Sequence, residues 1–111
     1  MDISHTSHNR CELITVSGRI DSATSDQLES QIKELQDAGK FNVAADLSGV
    51  DFISSRGLWV LIEAQKKSNH GDQGKIVLAG LSEKIKSSFE LVGMDKFFTY
   101  YEDALAAVGS F

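Results

Sequence analysis

The sequence contains no proline, and among its 111 residues it has only one cysteine, Cys11, and one tryptophan, Trp59. A single cysteine excludes an internal disulfide and is consistent with a reducing cytoplasm. Without proline, low-complexity tracts or internal repeats, no segment has the character of a linker. We therefore expect one domain over residues 1–111.

Long hydrophobic runs and clustered positive charge are also missing. No apolar stretch approaches the roughly 20 residues that span a bilayer, and the N-terminal segment lacks the apolar core and basic lead of a secretory signal. The net charge is −5, and the nearest thing to a basic patch is the pair Lys66 and Lys67. Because phosphate contacts need clustered Lys and Arg, nucleic-acid binding is disfavoured. These absences predict a cytoplasmic protein that binds neither membrane nor nucleic acid.

What the sequence does contain is an alternation of strand and helix patterns. In residues 11–20 apolar and polar side chains alternate, as in a half-buried strand. Residues 43–47 are apolar on both faces, as in the middle of a sheet. The predicted strands are residues 11–20, 41–47 and 75–80, with weaker candidates at 2–8 and around Phe97 and Phe98.

Apolar residues at helical spacing predict four helices. Capping boxes fit at Thr24 with Gln27 and at Thr99 with Glu102, and Gly39 and Ser82 fit further caps. The helices cover residues 24–38, residues 56–68, a segment with Ile85, Phe89 and Val92 on one face, and a segment carrying Leu105 and Val108. The alternation predicts an α/β fold with a central mixed, largely parallel sheet of four to five strands covered by about four helices.

In open α/β sheets, functional residues gather in loops beyond the carboxyl ends of strands. Here that loop is SGVDFISS, residues 48–55, before the helix that begins near Arg56. A serine at this helix N-terminus faces unpaired backbone N–H groups and the positive end of the helix dipole, where a phosphate is well held. Ser55 is therefore a candidate phosphorylation site. The alternative, simpler on the physics of helix ends alone, is that Ser54 or Ser55 only caps the helix.

Catalytic and metal sites have less support. A nucleophilic serine needs a nearby base, and the histidines stand in the N-terminal segment (His5, His8) and in a turn (His70). No glycine-rich phosphate loop follows a strand, and His5 and His8 lack further ligands at metal-binding spacing. We expect no enzyme activity, no cofactor and no metal, and a buried structural thiol at Cys11.

Trp59 stands one turn into the predicted second helix. Its helical angle places it with Glu63 and Lys66 rather than with Leu58 and Ile62, so we expect it to be at least partly exposed. An exposed tryptophan one turn from a modifiable serine would anchor a partner protein. The alternative is that the ring leans onto the core.

The segment DLSGVDFISSRGLWVL, residues 46–61, closely resembles the signature of bacterial anti-sigma factor antagonists, the STAS-domain proteins. In that signature an Asp-Leu-Ser strand end precedes an apolar pair, a phosphorylatable serine, Gly-Leu and an apolar helix. GRID at 18–21 and KIVLAGLSEKIKSSFELVGMDKFF at 75–98 are similar to the family's second strand and its late strand–helix–strand run. The resemblance covers nearly the whole chain and implies a single STAS domain.

The resemblance also implies a mechanism. Ser55 matches the serine phosphorylated by a partner anti-sigma factor that is itself an ATP-dependent serine kinase. In the family, the unphosphorylated protein binds the anti-sigma factor and frees a sigma factor, phosphorylation breaks the complex, and a PP2C-type phosphatase restores it. Asp21 matches an acidic residue near the phosphorylation loop. Partner contacts are expected from Asp21, Ser54, Arg56, Gly57 and Trp59.

Three positions depart from the family pattern. Ser54 stands where many members have Asp, Arg56 where they have a second Ser or Thr, and Trp59 where a small residue follows Gly-Leu. Ser54 is therefore the alternative acceptor, and Arg56 is expected either to pair with the phosphate or to contact the kinase. The alternative function is a STAS subunit that works structurally, without phosphorylation, in a lipid transporter or a stress-signalling complex.

Overall fold

The computed structural model describes residues 1–111 and contains five strands and four α-helices. None of the helices is both long enough and apolar enough to cross a membrane. The strands are β1 (Asp2–Ser7), β2 (Glu12–Ile20), β3 (Val43–Ile53), β4 (Ile76–Ala79) and β5 (Thr99–Tyr101), and the helices are α1 (Ser25–Asp37), α2 (Ser55–Asn69), α3 (Glu83–Leu91) and α4 (Ala104–Gly109).

The strands form one mixed sheet in the order β1-β2-β3-β4-β5. β1 pairs with β2 in the antiparallel direction, and the pairs from β2 to β5 are parallel. The α/β fold with a largely parallel sheet is therefore confirmed, and so is the weaker candidate strand at the N-terminus. Because β2 to β5 run the same way, their carboxyl ends and the first turns of the helices share one edge of the sheet, called the carboxyl edge below.

The two faces of the sheet are covered unequally. Helices α1, α2 and α3 pack on one face and form a core cluster of 21 buried residues. On the other face α4 packs with Ala107 against Ala44, Val77 and Ala79. The central position predicted for residues 43–47 is confirmed, because Ala44 and its neighbour Ala45 are both fully buried on opposite faces.

The predicted loop at residues 48–55 is wrong, because β3 continues to Ile53 and only Ser54 separates it from α2. Its second half pairs with β2, with register shifts around Ser17 and Gly18. Ser48, Gly49 and Asp51 are exposed there, and their polarity concealed a strand segment that pairs with β2 but extends beyond the pairing with β4, which ends at Asp46.

The helix ends agree with the sequence at two caps. Ser82 Oγ accepts the backbone N–H of Ile85 at the start of α3. After α1, Gly39 adopts a positive φ of 80°, and the N–H groups of Gly39 and Lys40 donate to the carbonyls of Gln36 and Leu35. This pair of bonds closes the helix end in the manner that favours glycine.

Both predicted capping boxes are wrong. The Thr24 hydroxyl makes no capping bond to α1 and instead bonds Asp21 and the Arg19 carbonyl. Thr99 begins β5, and α4 is capped by Asp103, which accepts the N–H of Ala106 at 2.9 Å.

Two further placements differ from the sequence prediction. The short extended piece lies at 99–101, after Phe97 and Phe98. Val92 follows the last residue of α3 and is exposed rather than part of its buried face.

Candidate functional site

Ser54 is the N-cap of α2. Its Oγ accepts the backbone N–H of Gly57 at 3.1 Å, and its own N–H donates to the carbonyl of Ile20 at 2.8 Å. The backbone of Ser54 is extended, with φ −79° and ψ 167°, as expected for an N-cap. Of the two adjacent serines, Ser54 therefore has the structural role.

Ser55 is the first residue of α2, and its side chain is exposed. Its hydroxyl takes part in none of the side-chain hydrogen bonds of the carboxyl edge, which involve Asp21, Thr24, Ser54 and Arg56. Because the first N–H groups of an α-helix have no intrahelical partners, they would stabilise a negative charge on the Ser55 side chain. Phosphorylation of Ser55 stays a prediction.

Gly57 is buried where α2 crosses the ends of β2 and β3. A Cβ at this position would lie 2.7 Å from Ile20 Cγ2 and 2.9 Å from Ile53 Cγ1. The glycine therefore allows the close approach of the helix to the sheet. The expected contact of Gly57 with a partner stays a prediction, and the burial of Gly57 disfavours such a contact.

Asp21 organises the turn between β2 and α1. Its Oδ1 accepts the backbone N–H groups of Thr24 and Ala23 at 2.8 and 3.0 Å and the Thr24 hydroxyl at 3.0 Å. These bonds, those of Thr24 first, hold the pKa of Asp21 below its ordinary value. The turn lies beside the candidate site because the Ile20 carbonyl receives the N–H of Ser54.

Arg56 turns away from Ser55 toward α1. Its guanidinium is hydrogen-bonded to Asp26, with Nε 3.1 Å from Oδ1, and Nη2 lies 3.6 Å from Oε1 of Glu29. The hydrogen bond to Asp26 and the charge of both carboxylates raise the pKa of Arg56. In the structure Arg56 therefore links α2 to α1. Its expected pairing with a phosphate, or alternatively its contact with a kinase, stays a prediction.

The exposure predicted for Trp59 is confirmed, with 45% of the residue accessible. The Lys66 ammonium lies 5.8 Å from the centre of its ring. Residues four apart in a helix share a face, so Ser55 and Trp59 are neighbours on the exposed side of α2.

Sequence reasoning missed a second feature of the carboxyl edge. The Arg19 guanidinium lies over the Phe52 ring, with Cζ 4.2 Å from its centre. The two residues are paired across β2 and β3 beyond the register shift near Gly18. The motif GRID contained the arginine, but its partner depends on that shift and on the extension of β3.

The remaining candidate residues lie away from Ser55. His5 Nε2 is 2.9 Å from Glu12 Oε1 near the opposite end of the sheet, and His70 follows the last residue of α2. The buried thiol expected at Cys11 is confirmed, and burial, followed by the charge of Glu12, raises its pKa. No group of three or more His, Cys, Asp or Glu side chains is arranged to hold a metal.

Comparison with known families identifies the fold. A family model described as "STAS domain" matches residues 2–107. The chain belongs to the STAS domain family. The resemblance to bacterial anti-sigma factor antagonists is also confirmed, because proteins similar to this STAS domain carry that name.

One similar protein is BtrV of Bordetella bronchiseptica, named as an anti-sigma factor antagonist. It is 33% identical over 94 residues, which cover 85% of this chain and 80% of BtrV. Among solved structures, an anti-sigma factor antagonist from Mycobacterium paratuberculosis superposes with a TM-score of 0.86 and 25% identity, covering 98% of this chain and 92% of that one. The Bacillus protein SpoIIAA in its phosphorylated form shares the STAS fold, with a TM-score of 0.78, 14% identity and 98% coverage of both chains.

Proposed function

We propose that this STAS domain is an anti-sigma factor antagonist controlled by phosphorylation of Ser55. Unphosphorylated, it binds an anti-sigma factor that is also a serine kinase and thereby frees a sigma factor. Phosphorylation ends the binding, and a PP2C-type phosphatase restores it. The protein acts by binding in the bacterial cytoplasm and is not an enzyme.

The observation that carries this proposal is that the two adjacent serines have different roles. Ser54 uses its hydroxyl to cap α2, whereas Ser55 presents an exposed hydroxyl at the first helical position. A kinase can therefore modify Ser55 without removing the cap. The family membership and the similarity to BtrV support the same assignment.

The effect of a phosphate follows from its surroundings. Unpaired N–H groups of α2 favour the added negative charge, so modification need not unfold the helix. Asp21, Asp26 and Glu29 already make this part of the carboxyl edge acidic. A phosphate added beside them would repel an acidic partner surface and disrupt a packed interface.

Trp59 supplies the apolar part of the proposed interface. It is exposed on the same face of α2 as Ser55, and an exposed tryptophan is the side-chain type most often found at the energetic centre of protein interfaces. Partner binding would bury this ring one helical turn from Ser55. A phosphate on Ser55 would then disrupt the packing of the partner around the ring.

The test is the intact mass of the protein purified from its own host, before and after treatment with a PP2C-type phosphatase, with peptide mapping across residues 41–66. We expect one phosphoryl group on Ser55 that the phosphatase removes. Ser55→Ala should abolish the modification. Ser54→Asn should retain it, because asparagine preserves the cap but offers no hydroxyl.

Binding to the cognate kinase provides a second readout. Ser55→Ala should still bind, whereas Ser55→Asp should not; equal binding by both variants would contradict the switch. An unmodified native chain under growth and stress conditions, purified within a larger stable assembly, would instead indicate a structural STAS subunit.

A further inference from the structure

We propose that the groove between α1 and α2, called the α1–α2 groove below, binds a small carboxylic acid that carries an aromatic ring and an N–H or O–H donor. Neither Ser54 nor Ser55 lines this groove, so the site is separate from the candidate phosphorylation site and does not depend on the proposed function. Its features are an apolar floor, a buried side chain with an unpaired acceptor, and a positive charge without an ion pair.

The floor of the α1–α2 groove is apolar. It is formed by Ile32 of α1 and by Val60 and Ala64 of α2, which are all buried members of the main core cluster. The groove has a volume of about 270 Å³, just below the roughly 300 to 1,000 Å³ of most ligand pockets. It therefore has room for one small ring system, and an aromatic ring bound against this floor would be removed from water, which favours binding.

Gln36 contributes a hydrogen-bond acceptor to the groove. The residue is only 5% exposed, and its Nε2 donates to the Ala64 carbonyl and to Ser68 Oγ, each at 3.0 Å. These bonds fix the side-chain amide and use both of its N–H groups, whereas Oε1 has no partner.

The Oε1 atom of Gln36 is also accessible. The Tyr100 hydroxyl is the one side-chain polar atom that is sealed from solvent without a hydrogen bond, so Gln36 Oε1 is not sealed. Since Gln36 lines the α1–α2 groove, a ligand in the groove can reach this oxygen. An N–H or O–H of the ligand would supply the missing hydrogen bond to an otherwise buried side chain.

Lys33 provides the positive charge. It is exposed, lines the groove and takes part in none of the ion pairs of the chain. Each of the other charged lining residues has a partner of opposite sign: Glu29 with Arg56, Glu63 with Lys66, and Lys67 with Asp37. One uncommitted ammonium favours a ligand with a single negative charge, which a carboxylate supplies.

The positions of Lys33 and Gln36 define the spacing of the polar groups in the ligand. Residues three apart in a helix share a face, with Cβ atoms roughly 5–6 Å apart. A ligand that uses both residues therefore carries its carboxylate and its donor at two ends of one small ring system. Arylacetic acids with a ring N–H or O–H have this arrangement.

The test uses the full chain labelled with nitrogen-15 and follows its NMR signals during titration with three probes. Indoleacetate has the ring, the N–H and the carboxylate, naphthaleneacetate lacks the N–H, and tryptamine has an ammonium in place of the carboxylate. We expect indoleacetate to shift the side-chain amide signals of Gln36 and to bind with a Kd of about 1 mM, the value for roughly 13 non-hydrogen atoms at a low binding energy per atom.

The other two probes should bind more weakly. Naphthaleneacetate should lose about three- to tenfold in affinity, because it cannot donate to Gln36. Tryptamine should also bind more weakly than indoleacetate, because its charge has the sign of Lys33.

A pair of lysine variants tests the charge. Lys33→Gln should weaken indoleacetate binding by about threefold, as expected for an exposed ion pair, and should not weaken tryptamine binding. Lys84→Gln is the matched control, because Lys84 is an exposed lysine of α3 that also forms no ion pair and does not line the groove. It should leave the affinity for indoleacetate unchanged.

The outcomes that would overturn the site are specific. They are the absence of saturable indoleacetate binding, signal shifts that lie away from α1 and α2, equal affinities for indoleacetate and naphthaleneacetate, or an affinity that Lys33→Gln does not change. None of these results bears on the phosphorylation of Ser55, which the mass of the native protein tests separately.

Discussion

The backbone N–H of Gly57 donates to Ser54 Oγ across 3.1 Å at the start of α2. Through this bond Ser54 and Gly57 together close the end of the helix against the sheet. It also separates the roles of the neighbouring serines, since only the second has its hydroxyl free.

Replacing Ser54 should affect folding, whereas replacing Ser55 should not. Ser54→Ala removes the N-cap and should lower the free energy of unfolding by about 1 kcal/mol. Ser54→Asn, which retains a capping oxygen, and Ser55→Ala should each stay within about 0.5 kcal/mol of the native chain. Urea unfolding of the unphosphorylated proteins measures all three; equal losses at both serines would contradict the assignment of the cap.

Gly57 should tolerate no side chain. Gly57→Ala places a methyl group within 3 Å of Ile20 and Ile53, so we expect a loss of about 1 to 3 kcal/mol in the free energy of unfolding. Gly109→Ala is the matched control, because a Cβ there meets nothing within 4 Å, and it should be neutral or slightly stabilising. A thermal denaturation series of both variants decides the point.

The ion pair between Arg56 and Asp26 should contribute little to stability. Both side chains are about half exposed or more, so water and salt screen the interaction, and a double-mutant cycle should give a coupling of about 0.2 to 1 kcal/mol. The cycle combines Arg56→Gln with Asp26→Asn and is measured by urea unfolding. The coupling should shrink at high salt, and a salt-independent value would mean that packing rather than charge links the helices.

Protonation of Glu12 should lower the free energy of unfolding at acidic pH. Its carboxyl is buried, which opposes ionisation, but hydrogen bonds from Ser7, His5 and Lys40 outweigh burial and hold its pKa below the ordinary 4.5. The carboxylate therefore stabilises the fold fully above that value, and the contribution is lost as pH falls through the lower pKa of the folded state. Unfolding free energies measured from neutral pH downward should show this loss in the native chain and a shallower one in Glu12→Gln.

Trp59 should matter for binding and not for folding. Because the ring is 45% exposed, Trp59→Ala should change the free energy of unfolding by no more than about 1 kcal/mol. Under the proposed function it should weaken binding of the cognate kinase by about 2 kcal/mol or more, as truncation of a central tryptophan does. Leu105→Ala, at an apolar residue of α4 that is 84% exposed, should leave binding unchanged, and the calorimetric affinities of the two variants test this.

The sequence by itself determined the order of strands and helices, the central place of residues 43–47, the caps at Gly39 and Ser82, and the exposure of Trp59. These features follow from hydrophobic periodicity and from the chemistry of single residues, which act over a few positions along the chain. The motif at 46–61 likewise indicated the family, which is confirmed, and it predicts Ser55 as the phosphate acceptor.

Only the tertiary structure decided the contacts between distant segments. Arg56 meets Asp26 across 30 positions of the chain, and Arg19 meets Phe52 because a register shift aligns β2 with an extended β3. The bonds between Thr24 and Asp21 are local, since the two residues are three positions apart, and they occupy the hydroxyl that a capping box would have used. Side-chain pairing depends on the register of strands and the packing of helices, which local patterns do not specify.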